Sequence, residues 1–207
     1  MRKLILSALC LIGLGATTNA QDYLMDNPNN AAYFGIRASL DITSLQTPAP
    51  GDPFYNRAGF SIGAVYNIPI WKNLFFEPGL SLFYNTAGIR GIDYIGFKIP
   101  SAIINNWGFR IPFNFGYHFD ITDDIRIIPY TGPMINLNLS TSIKGVDNNS
   151  GQGYNTFDFG WNFGVGVTYK KYYAAIGGTV GMTHYGKGST YNYVRRNIFD
   201  ITLGYNF

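Results

Sequence analysis

The sequence predicts an all-β fold: an eight-stranded antiparallel up-and-down barrel that crosses a membrane with its strands. Three observations predict it. Between Phe157 and Tyr169 every odd position is large and apolar (Phe157, Phe159, Trp161, Phe163, Val165, Val167, Tyr169), and every even one is small or polar (Asp158, Gly160, Asn162, Gly164, Gly166, Thr168). Side chains on a strand alternate between faces, so this segment has a greasy face and a small, wet one where a soluble strand would carry Lys and Glu. Aromatic residues reach 17% of the chain while charged residues are only 13%, against roughly 25% in soluble domains. The connections between such alternating segments are, by turns, long and short.

The first residues stand apart from that pattern. Arg2 and Lys3 precede an apolar run over 4–14, and Thr18-Asn19-Ala20 supplies small residues for cleavage, which predicts a signal peptide over 1–20 and a barrel domain over 21–207. The run is shorter than the ~20 residues a spanning helix needs. Cys10 is the only cysteine and follows Leu9 rather than a small residue, which argues against a lipidated N-terminus. Without the first 20 residues the chain has no thiol or disulfide chemistry. Losing Arg2 and Lys3 from 15 basic residues nearly balances the 12 acidic ones, so charge gives no case for nucleic acid.

Eight segments of period 2 follow. In 33–43, Phe34, Ile36, Ala38, Leu40 and Ile42 oppose a face carrying Arg37 and Asp41. Segment 59–68 sets out Phe60, Ile62, Ala64, Tyr66 and Ile68, and 74–88 sets Phe76, Leu80, Leu82 and Tyr84 against Glu77, Gly79, Ser81 and Asn85. In 107–119, Phe109, Ile111, Phe113, Phe115 and Tyr117 alternate with Arg110, Pro112, Asn114, Gly116 and His118. Segment 125–139 pairs Ile135, Leu137 and Leu139 against Asn136 and Asn138; 157–169 is the strand described first. Ile176, Val180 and Met182 mark 172–183, and 196–207 sets Phe199, Ile201, Leu203, Tyr205 and Phe207 against Asp200, Thr202, Gly204 and Asn206.

An even count permits antiparallel closure. Long connections (44–57, 89–106, 140–156, 184–195) follow the first, third, fifth and seventh segments, and short ones (69–73, 120–124, 170–171) follow the others. Outer-membrane barrels have this asymmetry, with short periplasmic turns and long external loops. Turn-rich tips are expected at 48–53 and 147–153.

A soluble barrel would turn the apolar face inward. Against that, Gly79, Gly116, Gly160, Gly164, Gly166 and Gly204 lie on the small faces, where they would weaken an exposed strand but suit a crowded lumen. Trp71, Tyr117, Tyr169, Tyr172 and Tyr205 gather at one set of strand ends and Tyr84, Trp107, Phe157 and Trp161 at the other, as two membrane interfaces require. The chain also ends in Phe207, with apolar residues at every second place before it.

That ending, Phe199, Ile201, Leu203, Tyr205 and Phe207, resembles the signal read by the outer-membrane barrel assembly machinery. Phe76-Glu77-Pro78-Gly79-Leu80, Arg110-Ile111-Pro112-Phe113, Pro129-Tyr130-Thr131-Gly132-Pro133, Phe157-Asp158-Phe159-Gly160 running into Gly164-Val165-Gly166, and the final Ile201-Thr202-Leu203-Gly204-Tyr205-Asn206-Phe207 together resemble the PorT-like outer-membrane β-barrel family of Bacteroidetes-type bacteria. The resemblance implies an eight-stranded barrel in the outer membrane. One group in that family takes part in secreting and maturing surface proteases; most members have no assigned activity.

The candidate site is a cluster of inward-facing charges: Arg37, Asp41, Glu77, Arg110, Asp158 and Asp200. Closure makes the first and last strands neighbours, so Arg37 and Asp200 are expected to pair, as are Glu77 and Arg110. Such pairs fill a lumen where an unpaired charge would be costly, and an eight-stranded lumen leaves little room for a conducting path.

No cofactor is implied, and His118 and His184 on distant strands are a poor metal site. A lipid hydrolase would need His184, with Thr183, Ser189 or Thr190 close in sequence and an Asp in reach. The external loops mix Tyr55, Tyr94, Phe97, Tyr154, Tyr191 and Tyr193 with Arg57, Arg90, Lys144, Arg195 and Arg196, residue types favoured at recognition surfaces and at lipid interfaces alike. The expected partners are outer-membrane lipid, the assembly machinery and a protein at those loops. The expectation is a non-enzymatic scaffold or binding protein, with a narrow transport path or a lipid-modifying enzyme as alternatives.

Overall fold

The computed structural model describes residues 31–47, 54–94, 97–99, 101–144, 154–185 and 194–207. The predicted signal peptide, the tips at 48–53 and 147–153, and Ser189, Thr190, Tyr191 and Tyr193 lie outside the described residues.

In chain order the strands are β1 (Tyr33–Gln46), β2 (Phe54–Trp71), β3 (Leu74–Ile89), β4 (Ile92–Tyr94), β5 (Phe97–Ile99), β6 (Ala102–Tyr117), β7 (Phe119–Asp120), β8 (Ile125–Lys144), β9 (Phe157–Tyr169), β10 (Tyr172–Gly181) and β11 (Arg195–Asn206). Eight of them form the barrel. β1, β2, β3, β6, β8, β9, β10 and β11 each pair antiparallel with the next, and β11 returns to β1 to close the circle. β7 prolongs β6 past His118 along the edge of β8, and β4 and β5 form a small hairpin of their own. The short turns carry left-handed residues, Lys72 (φ 48°) and Lys170 (φ 54°), where two-residue hairpins need the backbone to reverse with the strand twist.

The external ends differ from expectation. Strand pairing runs on where long loops were expected, at 54–57 and 102–106 and through β4 and β5. β8 has 20 residues, about twice the 9–11 that a tilted strand needs to cross a bilayer. The reason is local: Ala102, Ile104 and Asn106 keep facing inward in alternation, so the wall stands clear of the apolar band without losing its ladder.

The faces fall as the alternation dictates. Phe34, Ile36, Leu40, Phe60, Ile62, Leu82, Phe115, Phe163, Val165, Ile176, Phe199, Ile201 and Leu203 are exposed on the outside. Trp71, Tyr117, Tyr169, Tyr172 and Tyr205 ring one end of this belt, and Tyr84, Trp107, Phe157 and Trp161 ring the other. Water would make such a surface insoluble; acyl chains make it the favourable one. The buried interior is the lumen.

Candidate functional site

The lumen is filled in layers. At the periplasmic end Phe75, Ile128, Tyr173 and Ala175 form an apolar cluster with Tyr130 packed against it. His118, just beyond the end of β6, stacks on Phe75 with ring centroids 4.4 Å apart and lies 6.4 Å from Tyr33. Burial is the main cause that lowers its imidazole pKa to about 3, with Arg126 adding to the effect, so the ring is neutral. The Tyr130 hydroxyl reaches into a niche between Gly164 and Gly177, which pair in register on β9 and β10; a Cβ at Gly177 would sit 2.6 Å from it.

Above this cluster Arg37 approaches Glu77 at 3.7 Å and lies over the Tyr173 ring, its Cζ 4.0 Å from the centroid. The middle layer centres on Asp41, which is fully buried. Arg110 Nη2 donates to it at 2.9 Å, Ser61 at 3.5 Å, and the Asn85 amide, turned so that its nitrogen faces the carboxylate, at 3.0 Å. Asp200 stands directly opposite Asp41 in the β1–β11 register and accepts from Thr202 at 3.2 Å. Further out, Arg196 pairs with Asp158 at 2.7 Å, both side chains buried. The Phe83 ring has two guanidinium groups within cation–π distance, Arg110 at 5.5 Å and Arg196 at 5.2 Å.

An apolar cap of Leu45, Phe54, Ala87, Ile104, Tyr185 and Val194 closes the external mouth. Tyr185 follows β10 and folds back into the barrel, where its hydroxyl accepts from Asn106 at 2.5 Å and its ring meets Tyr154 at 5.0 Å. Burial raises the pKa of its phenol, which keeps it neutral. Between the layers remains a cavity of about 70 Å³, bordered by Arg37, Glu77, Arg110, Tyr130, Tyr173 and Asp200, with room for a few waters.

All six charges singled out in the sequence face this lumen, but with different partners from those expected. Arg37 meets Glu77 rather than Asp200, and Arg110 meets Asp41 rather than Glu77. Register explains the change. Arg37 stands opposite Gly204, four residues from Asp200, and Arg110 stands opposite Ser81, four residues from Glu77. Four residues are about 13 Å along a strand. Arg196, expected in an external loop, is instead buried in the lumen, because β11 begins at Arg195 and parity turns the next residue inward. Tyr154 packs into the mouth beside Tyr185. Sequence reading also missed Phe75, Phe83, Tyr130 and Tyr173 as lumen residues, although each sits at an inward parity.

Two other expectations concern chemistry. His184 lies beyond the end of β10, so strand parity does not set its direction; its carbonyl accepts from Asn155 at 2.6 Å. The neighbouring Thr183 hydroxyl is engaged with the Phe159 backbone, at 2.8 Å to its N–H. Among the described residues no group of three or more His, Cys, Asp or Glu is placed to hold a metal. Phe199, Ile201, Leu203 and Tyr205 face outward on β11, and Phe207, just past its end, is exposed as well.

A closed eight-stranded barrel with an apolar belt outside and ion pairs inside is an integral outer-membrane protein. The chain belongs to the family described as outer membrane protein beta-barrel domain, whose model matches residues 6–207. Its fold is similar to that of Neisserial surface protein A (18% identity, TM-score 0.48, covering 86% of this chain and 99% of that one). It is similar also to OprG from Pseudomonas aeruginosa (13%, 0.48, 86% and 97%) and to the E. coli outer membrane protein W (18%, 0.43, 86% and 99%). No curated protein matches the sequence.

Proposed function

We propose that the protein is a non-enzymatic scaffold or binding partner of the outer membrane, working through its external end or its periplasmic rim rather than through its lumen. The filled lumen carries this reading. Three buried arginines, each held by a carboxylate, lie across the barrel between an apolar cluster and an apolar cap. An ion entering would have to displace bonds that leave buried charge unpaired. The six lumen charges and Arg196 serve to fix the wall, and the wall holds the working surface in place, as a rigid scaffold holds loops.

In this reading Phe199, Ile201, Leu203, Tyr205 and Phe207 are the segment recognised by the barrel assembly machinery. A part in surface-protein secretion, which the PorT-like resemblance implies, would be exercised by docking a partner at one end of the barrel. The test is conductance. The folded protein in planar bilayers should give no porin-like steps, whereas Tyr185→Ala with Arg196→Ala should raise leakage by opening the mouth. Porin-like conductance of the wild type would overturn the reading.

A further inference from the structure

The outer wall is not uniformly convex. An apolar groove of about 520 Å³ crosses β9, β10, β11 and β1. Gly178 forms its floor, at an outward position between the exposed Ile176 and Val180. Its register partners are Phe163 on β9 and Phe199 on β11, so a missing side chain lies between two large rings. A Cβ added there would meet the Ile198 carbonyl oxygen at 3.0 Å and the Phe163 ring at 3.8 Å.

The groove changes character toward the external end, where Ser44, Asn56 and Asn197 line it. The Asn197 amide is fixed, accepting from the Gly181 N–H at 3.0 Å and donating to Gln46 at 2.8 Å. The exposed Arg195 pairs in register with Gln46 just beyond. From Ile176 to Val180 the trough runs about 13 Å, roughly half of the ~25 Å apolar band of such barrels. It therefore spans one leaflet, the outer one, and ends at a cation where head groups begin.

We propose that this groove holds one acyl chain of an anionic outer-leaflet lipid, with the head group against Arg195. In an integral outer-membrane protein the flank is bathed in acyl chains, and a trough left unfilled would forfeit dispersion contacts along both rings. The walls are set by the sheet itself, so binding orders little of the protein. A second copy is the poorer occupant. A two-fold contact sets a patch against itself, and here it would face one concavity with another.

The test is photocrosslinking of the full-length folded protein in phosphatidylcholine vesicles containing phosphatidylglycerol with a mid-chain diazirine. Adducts mapped by mass spectrometry should concentrate on Phe163, Ile176, Val180 and Phe199 over Phe60, Leu82 and Phe115 across the barrel. The expected enrichment is about tenfold, the ratio that ~1.4 kcal/mol of preference gives. Gly178→Leu should abolish the enrichment, and Val180→Trp, which blocks the trough from the side without touching its floor, should do the same. A heat-modifiable gel band reports that each variant is folded. Arg195→Gln should keep the acyl adducts but lose the preference for phosphatidylglycerol over a phosphatidylcholine probe. Even labelling around the belt, enrichment that survives in folded groove-filled variants, or protein–protein crosslinks through this face would each overturn the proposal.

Discussion

Asp41→Leu is the substitution that tests the lumen most sharply. Asp41 is fully buried and receives Arg110 at 2.9 Å, so its loss leaves a guanidinium in the barrel interior without its carboxylate. Breaking a buried pair from one side costs about 3–5 kcal/mol. The geometry places this case at the low end, because Asp200 stands opposite Asp41 and offers Arg110 a second carboxylate. Leu at 41 also removes the repulsion between two facing acids. About 3 kcal/mol is therefore expected for Asp41→Leu, a fall of roughly two powers of ten in the folding equilibrium.

Asp41→Leu with Asp200→Asn should approach 5 kcal/mol, about the full cost of an isolated buried charge. Asp41→Leu with Arg110→Met removes both charges and should return to within about 1 kcal/mol of wild type. The assay is urea unfolding in phosphatidylcholine vesicles, followed by fluorescence of the three lipid-facing tryptophans and by gel mobility of unboiled samples. If Asp41→Leu and Asp41→Leu/Arg110→Met lose the same stability to within about 0.5 kcal/mol, the ion pair does not act as argued.

Three further outcomes are expected. Ile201→Arg, on the outer face near the middle of β11, should cost about 2–4 kcal/mol in vesicles, as a charge set against acyl chains does; no loss of stability in the same unfolding assay would refute a lipid-facing position 201. His118 is held neutral with a pKa of about 3, below its unfolded value, so its contribution to stability is complete above pH 6.5 and is lost as pH falls from there toward 3. Wild type should lose about 2 kcal/mol relative to His118→Phe between pH 7 and 5; equal slopes would refute the burial argument. Deleting Phe207 should lower the yield of heat-modifiable barrel in outer-membrane fractions while leaving refolding of the purified chain intact, and unchanged yield in cells would remove its role in assembly.

Much of the molecule was legible before its structure. Side-chain direction on a strand is a local property with period 2, so Phe157 to Tyr169 declared its two faces and Arg37, Asp41, Glu77, Arg110, Asp158 and Asp200 all face the lumen as the parity required. The number of barrel strands and their up-and-down order followed from counting such runs and the turns between them. The external ends were less legible, because polar residues at strand tips read as loop although their backbones remain paired.

What the sequence determined by itself was therefore the wall: which residues face lipid, which face inward, and how many strands close the circle. Which inward charges meet was decided by tertiary structure alone. Arg37 on β1 reaches Glu77 on β3, Arg110 on β6 reaches Asp41 on β1, and Arg196 on β11 reaches Asp158 on β9, every one passing over at least one intervening strand. The immediate neighbours of Arg37 are Gly63 and Gly204, too small to meet it, so its guanidinium extends across the concave wall. Strands lie only ~4.8 Å apart, and stagger shifts residues along them by more than that. Partner choice thus depends on barrel radius and register, which no single strand encodes. The same holds for the groove at Gly178, a gap that exists only because β9 and β11 bring Phe163 and Phe199 to either side of it.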